Sequence, residues 1–159
     1  MTKSKNIAIF GGTFDPPHAG HYEIARRLAR RKGIDQVWIV PVYRHAFGKK
    51  SAPFAERLKA CRSFFKDLGP KVGVKDWEKR LGGISYTVRL LKFLRGKHPS
   101  SAFHLAVGSD AYRERRAWKD FCEVEKLARL VIFPRGSRSA IPNVSSTKIR
   151  RLKAKRRAG

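Results

Sequence analysis

The stretch that decides the fold is Ile7-Ala8-Ile9-Phe10-Gly11-Gly12-Thr13-Phe14-Asp15-Pro16-Pro17-His18-Ala19-Gly20-His21. Its apolar start predicts a buried strand that two glycines interrupt, and helical spacing after His21 places both histidines at or near a helix start. Their imidazoles and the free backbone N–H groups there can face one way and bind an anion. Gly11 and Gly12 let the backbone approach a ligand or adopt positive φ. The stretch therefore predicts a phosphate-binding loop with two proton-bearing side chains.

The loop differs from two common phosphate-binding motifs. It has no Gly-Lys-Ser/Thr as in the P-loop, and its glycine spacing does not match the dinucleotide fingerprint. Two glycines, Thr-Phe-Asp-Pro and His-x-Gly-His resemble instead the signature of the nucleotidyltransferase superfamily of α/β folds. The competing interpretation is a Pro/Gly turn with two surface histidines, and the length of the match favours the signature.

Composition indicates one globular domain over residues 1–159, since this length supports a single core and 42% of the residues are hydrophobic. No apolar run approaches the roughly 20 residues of a membrane span, and no signal peptide precedes the first strand. Cys61 and Cys122 lie in amphipathic segments and are predicted to be reduced core thiols rather than a disulfide or a zinc site. We therefore expect a cytoplasmic protein without a membrane partner.

The charge of the chain is strongly positive, with 37 Lys and Arg against 12 Asp and Glu, a formal +25. Such a field attracts nucleotides, and it also attracts nucleic acid without sequence preference. A basic host proteome would produce the same balance, so charge alone does not select a partner. The excess is largest at the C-terminal end, where no acidic residue follows Glu125.

Apolar segments alternate with helical ones along the whole chain. Strands are predicted over 6–10, 36–42, 71–74, 102–107 and 130–133. The predicted class is α/β, a Rossmann-like doubly wound parallel sheet of about five strands with helices on both faces. Right-handed crossovers bring the carboxyl ends of parallel strands to one edge. The loops after Phe10, Val42, Val74 and Val107 carry polar residues to that edge, which predicts an active site there.

A second motif, Ser145-Ser146-Thr147-Lys148-Ile149-Arg150, opens a basic C-terminal helix that starts at about residue 145. It resembles the Ser-Ser-Thr-x-x-Arg element of adenylyltransferases in the same superfamily. Hydroxyls and N–H groups at a helix start, with a guanidinium one turn later, suit the β- and γ-phosphates of ATP. The alternative is an ordinary capping serine on a basic surface helix.

Over residues 7–151 the chain most resembles nicotinate or nicotinamide mononucleotide adenylyltransferases. Gly83-Ile84-Ser85-Tyr86-Thr87 and Gly108-Ser109-Asp110-Ala111 are similar to elements of the bacterial nicotinate enzymes. Residues 41–50, which contain Gly-Lys-Lys, and Asp76-Trp77-Glu78 look closer to the eukaryotic-type nicotinamide enzymes. The choice of pyridine therefore stays open at this point.

The resemblance implies a reaction in NAD biosynthesis, the transfer of AMP from ATP to a pyridine mononucleotide with release of pyrophosphate. It implies in-line attack without a covalent enzyme intermediate, so that the protein supplies positioning and charge stabilisation. The catalytic residues implied are His18 and His21 at the α-phosphate, and Lys49 and Arg150 at the triphosphate. ATP binding is assigned to Gly11, Gly12, Thr13, Phe14, Gly108, Asp110, Ser145, Ser146 and Thr147. Mononucleotide binding is assigned to Trp77, Thr87 and Trp118.

Mg²⁺ is the implied cofactor, bound through the ATP phosphates with few or no protein ligands, and the resemblance leaves the oligomeric state open. An adenylyltransferase for another acceptor such as phosphopantetheine is the alternative within the class, and the Ser-Tyr-Thr element and two tryptophans argue against it. The alternative from a different functional class is a basic nucleic-acid-binding protein. No aromatic residue follows Gly136 to stack on bases, so only non-specific contact of nucleic acid with the basic tail is expected.

Overall fold

The computed structural model describes residues 3–135, 141–142 and 144–158. The strands are β1 (Asn6–Gly12), β2 (Gln36–Pro41), β3 (Val72–Val74), β4 (Ala102–Gly108) and β5 (Arg129–Phe133). The helices are α1 (Ala19–Arg30), α2 (Phe54–Phe65), α3 (Trp77–Leu81), α4 (Thr87–Lys97), α5 (Ser109–Arg113), α6 (Phe121–Leu127) and α7 (Ser146–Ala158). Two 3₁₀ turns span Lys66–Leu68 and Arg115–Ala117. No helix within these described residues is long and apolar enough to cross a bilayer.

The five strands form one sheet in the order β3-β2-β1-β4-β5, with every neighbouring pair parallel. The chain builds one half outward from β1 through β2 to β3, then crosses to β4 on the other side of β1. The strand order therefore reverses between β1 and β4, and the loops that leave these two strands diverge and open a crevice at their carboxyl ends. The predicted α/β class is confirmed, and this strand order predicts a binding site at that crevice.

Both faces of the sheet are covered, which explains the nearly continuous apolar character of its inner strands. Ala8 and Phe10 of β1 face a core that contains α1 and α2, whereas Ile7 and Ile9 face a core that contains α4 and α6. All four side chains are buried. β1 is consequently held from two sides, and the loop that follows it starts from a fixed point.

The structure corrects two local expectations. Gly11 and Gly12 do not interrupt β1 but continue its pairing with β2, opposite Val40 and Pro41, and neither has positive φ. The loop between β1 and α1 therefore begins at Thr13.

Cys61 is buried as predicted, but Cys122 is exposed. The prediction of a core thiol at Cys122 is wrong because the short helix α6 buries Val124 instead.

Candidate functional site

The two histidines of the N-terminal motif bind backbone N–H groups at the start of α1, and each accepts a hydrogen bond from the backbone of the other. Nδ1 of His18 accepts hydrogen bonds from the N–H groups of Gly20 at 3.1 Å and His21 at 3.4 Å. Nδ1 of His21 accepts one from the His18 N–H at 3.2 Å. The two rings stack with centroids 3.6 Å apart at an interplanar angle of 20°. The backbone thus fixes both rings in one orientation.

This arrangement also fixes which ring nitrogen carries the proton. Because Nδ1 accepts from backbone N–H in both rings, the proton of each neutral imidazole lies on Nε2. Burial, together with the positive charge of Arg135, lowers the pKa of His18 from 6.5 to about 4. Burial, His18 and Arg135 lower the pKa of His21 to about 3. Both histidines are therefore neutral Nε2–H donors at neutral pH.

Close packing around the pair explains two residues of the motif. A Cβ at Gly20 would lie 3.0 Å from His18 Cε1 and 3.0 Å from the Pro142 carbonyl oxygen, so glycine gives the His18 ring its space. Phe14 is fully buried, and its ring contacts the His21 ring edge-on at 4.7 Å between centroids. Phe14 adopts φ 51°, a left-handed conformation that is uncommon for an aromatic residue. Phe14 thus supports His21 from the core side.

The C-terminal motif is tied to the same loop. Ser145 caps α7, because its hydroxyl oxygen accepts a hydrogen bond from the Lys148 N–H at 3.1 Å. The Arg150 guanidinium donates to the Asp15 carbonyl oxygen and lies 3.5 Å from the Asp15 carboxylate. The Ser146 hydroxyl donates to the Pro16 carbonyl oxygen at 2.7 Å. These contacts hold the start of α7 against the histidine loop.

Arg135 is a site residue that the sequence analysis missed. It follows β5, and its N–H donates to the Ser109 hydroxyl at 2.9 Å while its guanidinium donates to the Val144 carbonyl oxygen at 2.9 Å. Its charge lowers the pKa of both histidines. The available signal was its position two residues after the end of a parallel strand, at the edge of the sheet that carries the other candidate site residues.

These elements enclose a first cavity, which we call the phosphate cavity, with a volume of about 270 Å³. It is lined by the predicted residues Gly11, Thr13, Phe14, His18, His21, Lys49, Gly108, Asp110, Ser145, Ser146, Thr147 and Arg150. Phe10, Ile24, Ala111 and Arg135 complete the lining. Gly12 lies beside the cavity within β1 and is not part of its lining. Four separate segments of the chain therefore bring the predicted catalytic residues and all the predicted ATP-binding residues except Gly12 to one place.

A second cavity, the aromatic cavity, has a volume of about 540 Å³. Its lining consists of Val42, His45, Ala46, Phe47, Ser85, Tyr86, Thr87, Ala117, Trp118 and Lys119. Two predicted mononucleotide-binding residues, Thr87 and Trp118, are among them. The loop after β2 borders both cavities, because it supplies Lys49 to one and Phe47 to the other. The aromatic cavity offers ring faces and one permanent cation, Lys119.

Trp77, the third predicted mononucleotide-binding residue, lies at neither cavity. Its ring packs against Trp38 at 5.7 Å, Phe93 at 6.2 Å and His98 at 6.4 Å between centroids, on the α4 face of the sheet. The structure places it there because α3 runs directly after β3 and turns its first residue toward the Trp38 side of β2. The structure thus does not bring Trp77 to the cavity that holds Trp118.

Arg57 is a second residue that the sequence analysis missed. It is buried within α2, and its guanidinium donates to the carbonyl oxygens of Thr13 at 2.9 Å, Val42 at 2.7 Å and Ala52 at 2.8 Å. It therefore joins the loop after β1 to the loop after β2. The sequence offered no signal, since a single arginine in an amphipathic helix usually lies on the exposed face.

The phosphate cavity has the chemistry of an anion site rather than a metal centre. Two imidazole donors, two guanidinium groups and Lys49 surround it, while Asp110 is the one carboxylate in the lining. Within the described residues, no three His, Cys, Asp or Glu side chains form a group that could hold a metal ion. A metal would fit there if it arrived coordinated by the oxygens of a bound polyphosphate.

The sequence of the chain is similar to those of proteins named as adenylyltransferases. The family model described as cytidylyltransferase-like matches residues 9–152. The chain is 36% identical over 159 residues to the probable nicotinate-nucleotide adenylyltransferase of Anaeromyxobacter dehalogenans, covering 94% of this chain and 84% of that protein. It is 32% identical to the protein of the same name from Myxococcus xanthus, covering 98% of this chain and 85% of the relative.

Solved structures agree in fold. The Plasmodium falciparum nicotinic acid mononucleotide adenylyltransferase complexed with NaAD superposes with a TM-score of 0.74 at 22% identity, covering 92% of this chain and 83% of that chain. A putative nicotinate-nucleotide adenylyltransferase from Vibrio parahaemolyticus gives a TM-score of 0.74 at 25% identity, covering 93% and 80% of the two chains.

Proposed function

The chain belongs to the cytidylyltransferase-like family and, within it, to the nicotinate-nucleotide adenylyltransferases, and we propose that it transfers AMP from ATP to nicotinate mononucleotide. The products are pyrophosphate and the dinucleotide deamido-NAD, and the reaction belongs to NAD biosynthesis. One domain over residues 1–159 carries it, and we place the enzyme in the cytoplasm. The observation that carries the proposal is the pair of backbone-fixed histidines facing a cationic cavity beside an aromatic one.

In this proposal the histidines serve the reacting phosphate. The mononucleotide phosphate attacks the α-phosphorus of ATP in line, and negative charge is redistributed over the phosphoryl oxygens as pyrophosphate leaves. Neutral His18 and His21 donate from Nε2 to the α-phosphate oxygens. Because their rings are already held by backbone N–H groups, they need little reorganisation as the transition state forms. No covalent intermediate is required.

The other cations bind the leaving group. Arg150, Arg135 and Lys49 would contact the β- and γ-phosphates, supported by the hydroxyls of Ser145 and Thr147 at the start of α7. The Ser146 hydroxyl proton is already donated to the Pro16 carbonyl oxygen, so Ser146 would act through its backbone N–H. A guanidinium can bind two phosphate oxygens at once, which gives direction as well as charge. Asp110 would accept hydrogen bonds from the adenosine ribose, next to Gly108.

Mg²⁺ is part of the proposal as a companion of ATP that neutralises phosphate charge. The donor set fits this arrangement, because Asp110 is the one carboxylate in the lining of the phosphate cavity and could reach a metal only as a single ligand or through water. The protein's own contribution is to bind and orient the phosphates that would carry the ion.

The aromatic cavity suits the pyridine ring of the acceptor. Trp118 offers a face on which a flat, cationic ring can stack, whereas the Lys119 ammonium lies over the Tyr86 ring, 4.7 Å from its centroid. The cavity favours the acid over the amide for two reasons. The lining holds Lys119 and no acidic side chain, and α4 begins at Thr87 without a side-chain cap, leaving its positive end toward the cavity. A carboxylate on the pyridine would be attracted by both.

The direct test measures pyrophosphate release from ATP and Mg²⁺ with nicotinate mononucleotide, nicotinamide mononucleotide or phosphopantetheine. We expect release with the pyridine mononucleotides, a higher kcat/KM for the acid, and loss of release in His18→Asn. Release with phosphopantetheine alone would reassign the acceptor. If folded protein that binds ATP releases no pyrophosphate with any of the three acceptors, the proposal is overturned.

The basic C-terminal helix is a separate surface of this enzyme. We propose that nucleic acid contacts it without sequence preference, through phosphates alone.

A further inference from the structure

The last turns of α7 stand clear of the rest of the protein. The first turns of the helix are anchored by Ser146 and Arg150, which bind backbone oxygens of the histidine loop. Residues 151–157 are all exposed, including Leu152 at 61%. This part of the helix is therefore fully available to a ligand.

The charge on α7 has a single sign. Its basic residues are Lys148, Arg150, Arg151, Lys153, Lys155, Arg156 and Arg157, and it contains no acidic residue. Among the described residues, no ion pair involves the cations of 151–157. Like charges three and four residues apart, such as Lys153 and Arg157, oppose each other on a helix surface. A bound polyanion would relieve this repulsion.

One face of α7 continues the phosphate cavity outward. Arg150, Lys153 and Arg157 follow one another at helical spacing and line, with Ala154, a recess of about 500 Å³. Arg150 also lines the phosphate cavity, so the two sites share one guanidinium. From Arg150 to Arg157 the helix axis advances about 10 Å, at about 1.5 Å per residue. That distance corresponds to about three nucleotides of one strand, at about 3.4 Å of axial rise each.

We propose that Arg150, Lys153 and Arg157 bind the phosphate backbone of one nucleic-acid strand, and that this strand competes with ATP for Arg150. The competition rests on the proposed function, whereas binding to the exposed stripe does not. The strand would lie along α7 with one phosphate at the entrance of the phosphate cavity. The enzyme would thus be inhibited by polyanions in a salt-dependent way.

The composition of the helix favours nucleic acid over a lipid surface. A helix that lies on a membrane needs a broad apolar face. On its exposed turns α7 offers Leu152 between cations, and no such face. No aromatic residue lies on α7 to stack on bases, so binding should depend on phosphates and not on sequence.

Binding is tested by fluorescence anisotropy with a labelled oligouridine. The double variant Lys153→Ala/Arg157→Ala should weaken binding about tenfold and make the slope of log K against log salt shallower by about 1.4, since two phosphate contacts are lost. The matched control is Lys59→Ala/Arg62→Ala, which removes the same charge from the exposed face of α2. Equal losses in the two variants would overturn the proposal, because only net charge would then matter.

Competition is tested by displacement and by inhibition. A non-hydrolysable ATP analogue with Mg²⁺ should release the oligouridine, and oligouridine should raise the KM for ATP without changing kcat. Lys153→Ala/Arg157→Ala should relieve the inhibition while keeping the kcat and KM measured without RNA. RNA that stays bound at saturating analogue would overturn the competition while leaving the adenylyltransferase function intact. Binding to phosphatidylglycerol vesicles but not to RNA would also overturn it.

Discussion

The phosphate cavity and the aromatic cavity are built by different means, although one loop borders both. In the phosphate cavity the backbone holds the side chains: His18 and His21 bind N–H groups, and Arg135 and Arg150 bind carbonyl oxygens. In the aromatic cavity part of the lining is held in this way, since Ser85 and His45 accept hydrogen bonds from backbone N–H groups, and part is open to solvent. Phe47 is 72% exposed, and Lys119 is exposed as well.

The difference reflects two physical requirements. Stabilising charge in a transition state needs hydrogen-bond donors that are in place beforehand, because the free energy needed to reorient them would otherwise offset the stabilisation. Recognising a flat ring needs apolar area and a few polar contacts, which side chains can complete as the ligand binds. Changes in the phosphate cavity should therefore act on kcat for every acceptor, and changes in the aromatic cavity on the KM of the mononucleotide.

The largest effect is expected at His18. His18→Ala and His18→Asn should both lower kcat about 10²–10³-fold, because each removes an Nε2–H donor. Only His18→Ala should also lower the free energy of unfolding, by about 1 kcal/mol, because asparagine still caps α1. Single-turnover rates and urea denaturation separate the two roles. An active His18→Asn enzyme would mean that the imidazole serves as a cap alone.

Arg135 should rank next. Arg135→Met should lower kcat about 10–100-fold through lost stabilisation of the phosphates, and it should raise the pKa of His18 and His21 by removing a nearby positive charge. Titration of the histidine Cε1–H signals by NMR measures the second effect. Arg135→Lys should keep both pKa values low yet recover only part of the rate, because an ammonium lacks the planar fork. Unchanged titration in Arg135→Met would place the guanidinium away from the rings.

The low histidine pKa values also predict how stability depends on pH. In the unfolded chain these groups take up protons near pH 6.5, whereas in the folded protein they do so at about 4 for His18 and about 3 for His21. The free energy of unfolding should therefore fall as the pH drops below 6.5, by about 1.4 kcal/mol per pH unit for each histidine. Urea denaturation between pH 7 and 5 measures this slope. His18→Asn should remove the contribution of one histidine to the slope of the unfolding free energy against pH. Identical slopes in the variant and the unaltered protein would contradict a buried, neutral His18.

Trp118 tests whether the aromatic cavity acts on the KM of the mononucleotide rather than on kcat. Trp118→Ala should raise the KM for nicotinate mononucleotide about tenfold, because a stacking face for the cationic ring is lost, while kcat changes little. Trp118→Phe should retain most of the affinity. Steady-state kinetics at saturating ATP gives both constants. A loss confined to kcat would move Trp118 out of the acceptor site.

The smallest effect is expected at Lys119, which is exposed to solvent. Lys119→Met should lower the ratio of kcat/KM for the acid over the amide about threefold, since an exposed ion pair is weak. Lys126→Met, on the exposed side of α6, is the matched control. A ratio that both variants leave unchanged would assign acid selectivity to the start of α4 alone.

Much of the site could be predicted from the sequence because its chemistry is carried by two local motifs. His18 and His21 stand at helical spacing, and Ser145 to Arg150 form one helix start, so their geometry follows from neighbours in the chain. Trp77 shows the opposite case. Its position beside Trp38 depends on the packing of α3 and α4 against β2, which no local pattern contains.

The sequence by itself determined the α/β class, the alternation of strands and helices along the chain, and the two predicted phosphate-binding motifs. It could do so because periodicity, helix caps and glycine spacing are local properties. Only the tertiary structure decided that Arg135 joins the histidines, that Arg57 ties two loops together, and that Trp118 rather than Trp77 lines the aromatic cavity. These contacts join residues far apart in the chain, and their partners are selected by packing of the two cores on the sheet. Side-chain identity sets what each group can bind, and the packed sheet sets which groups meet.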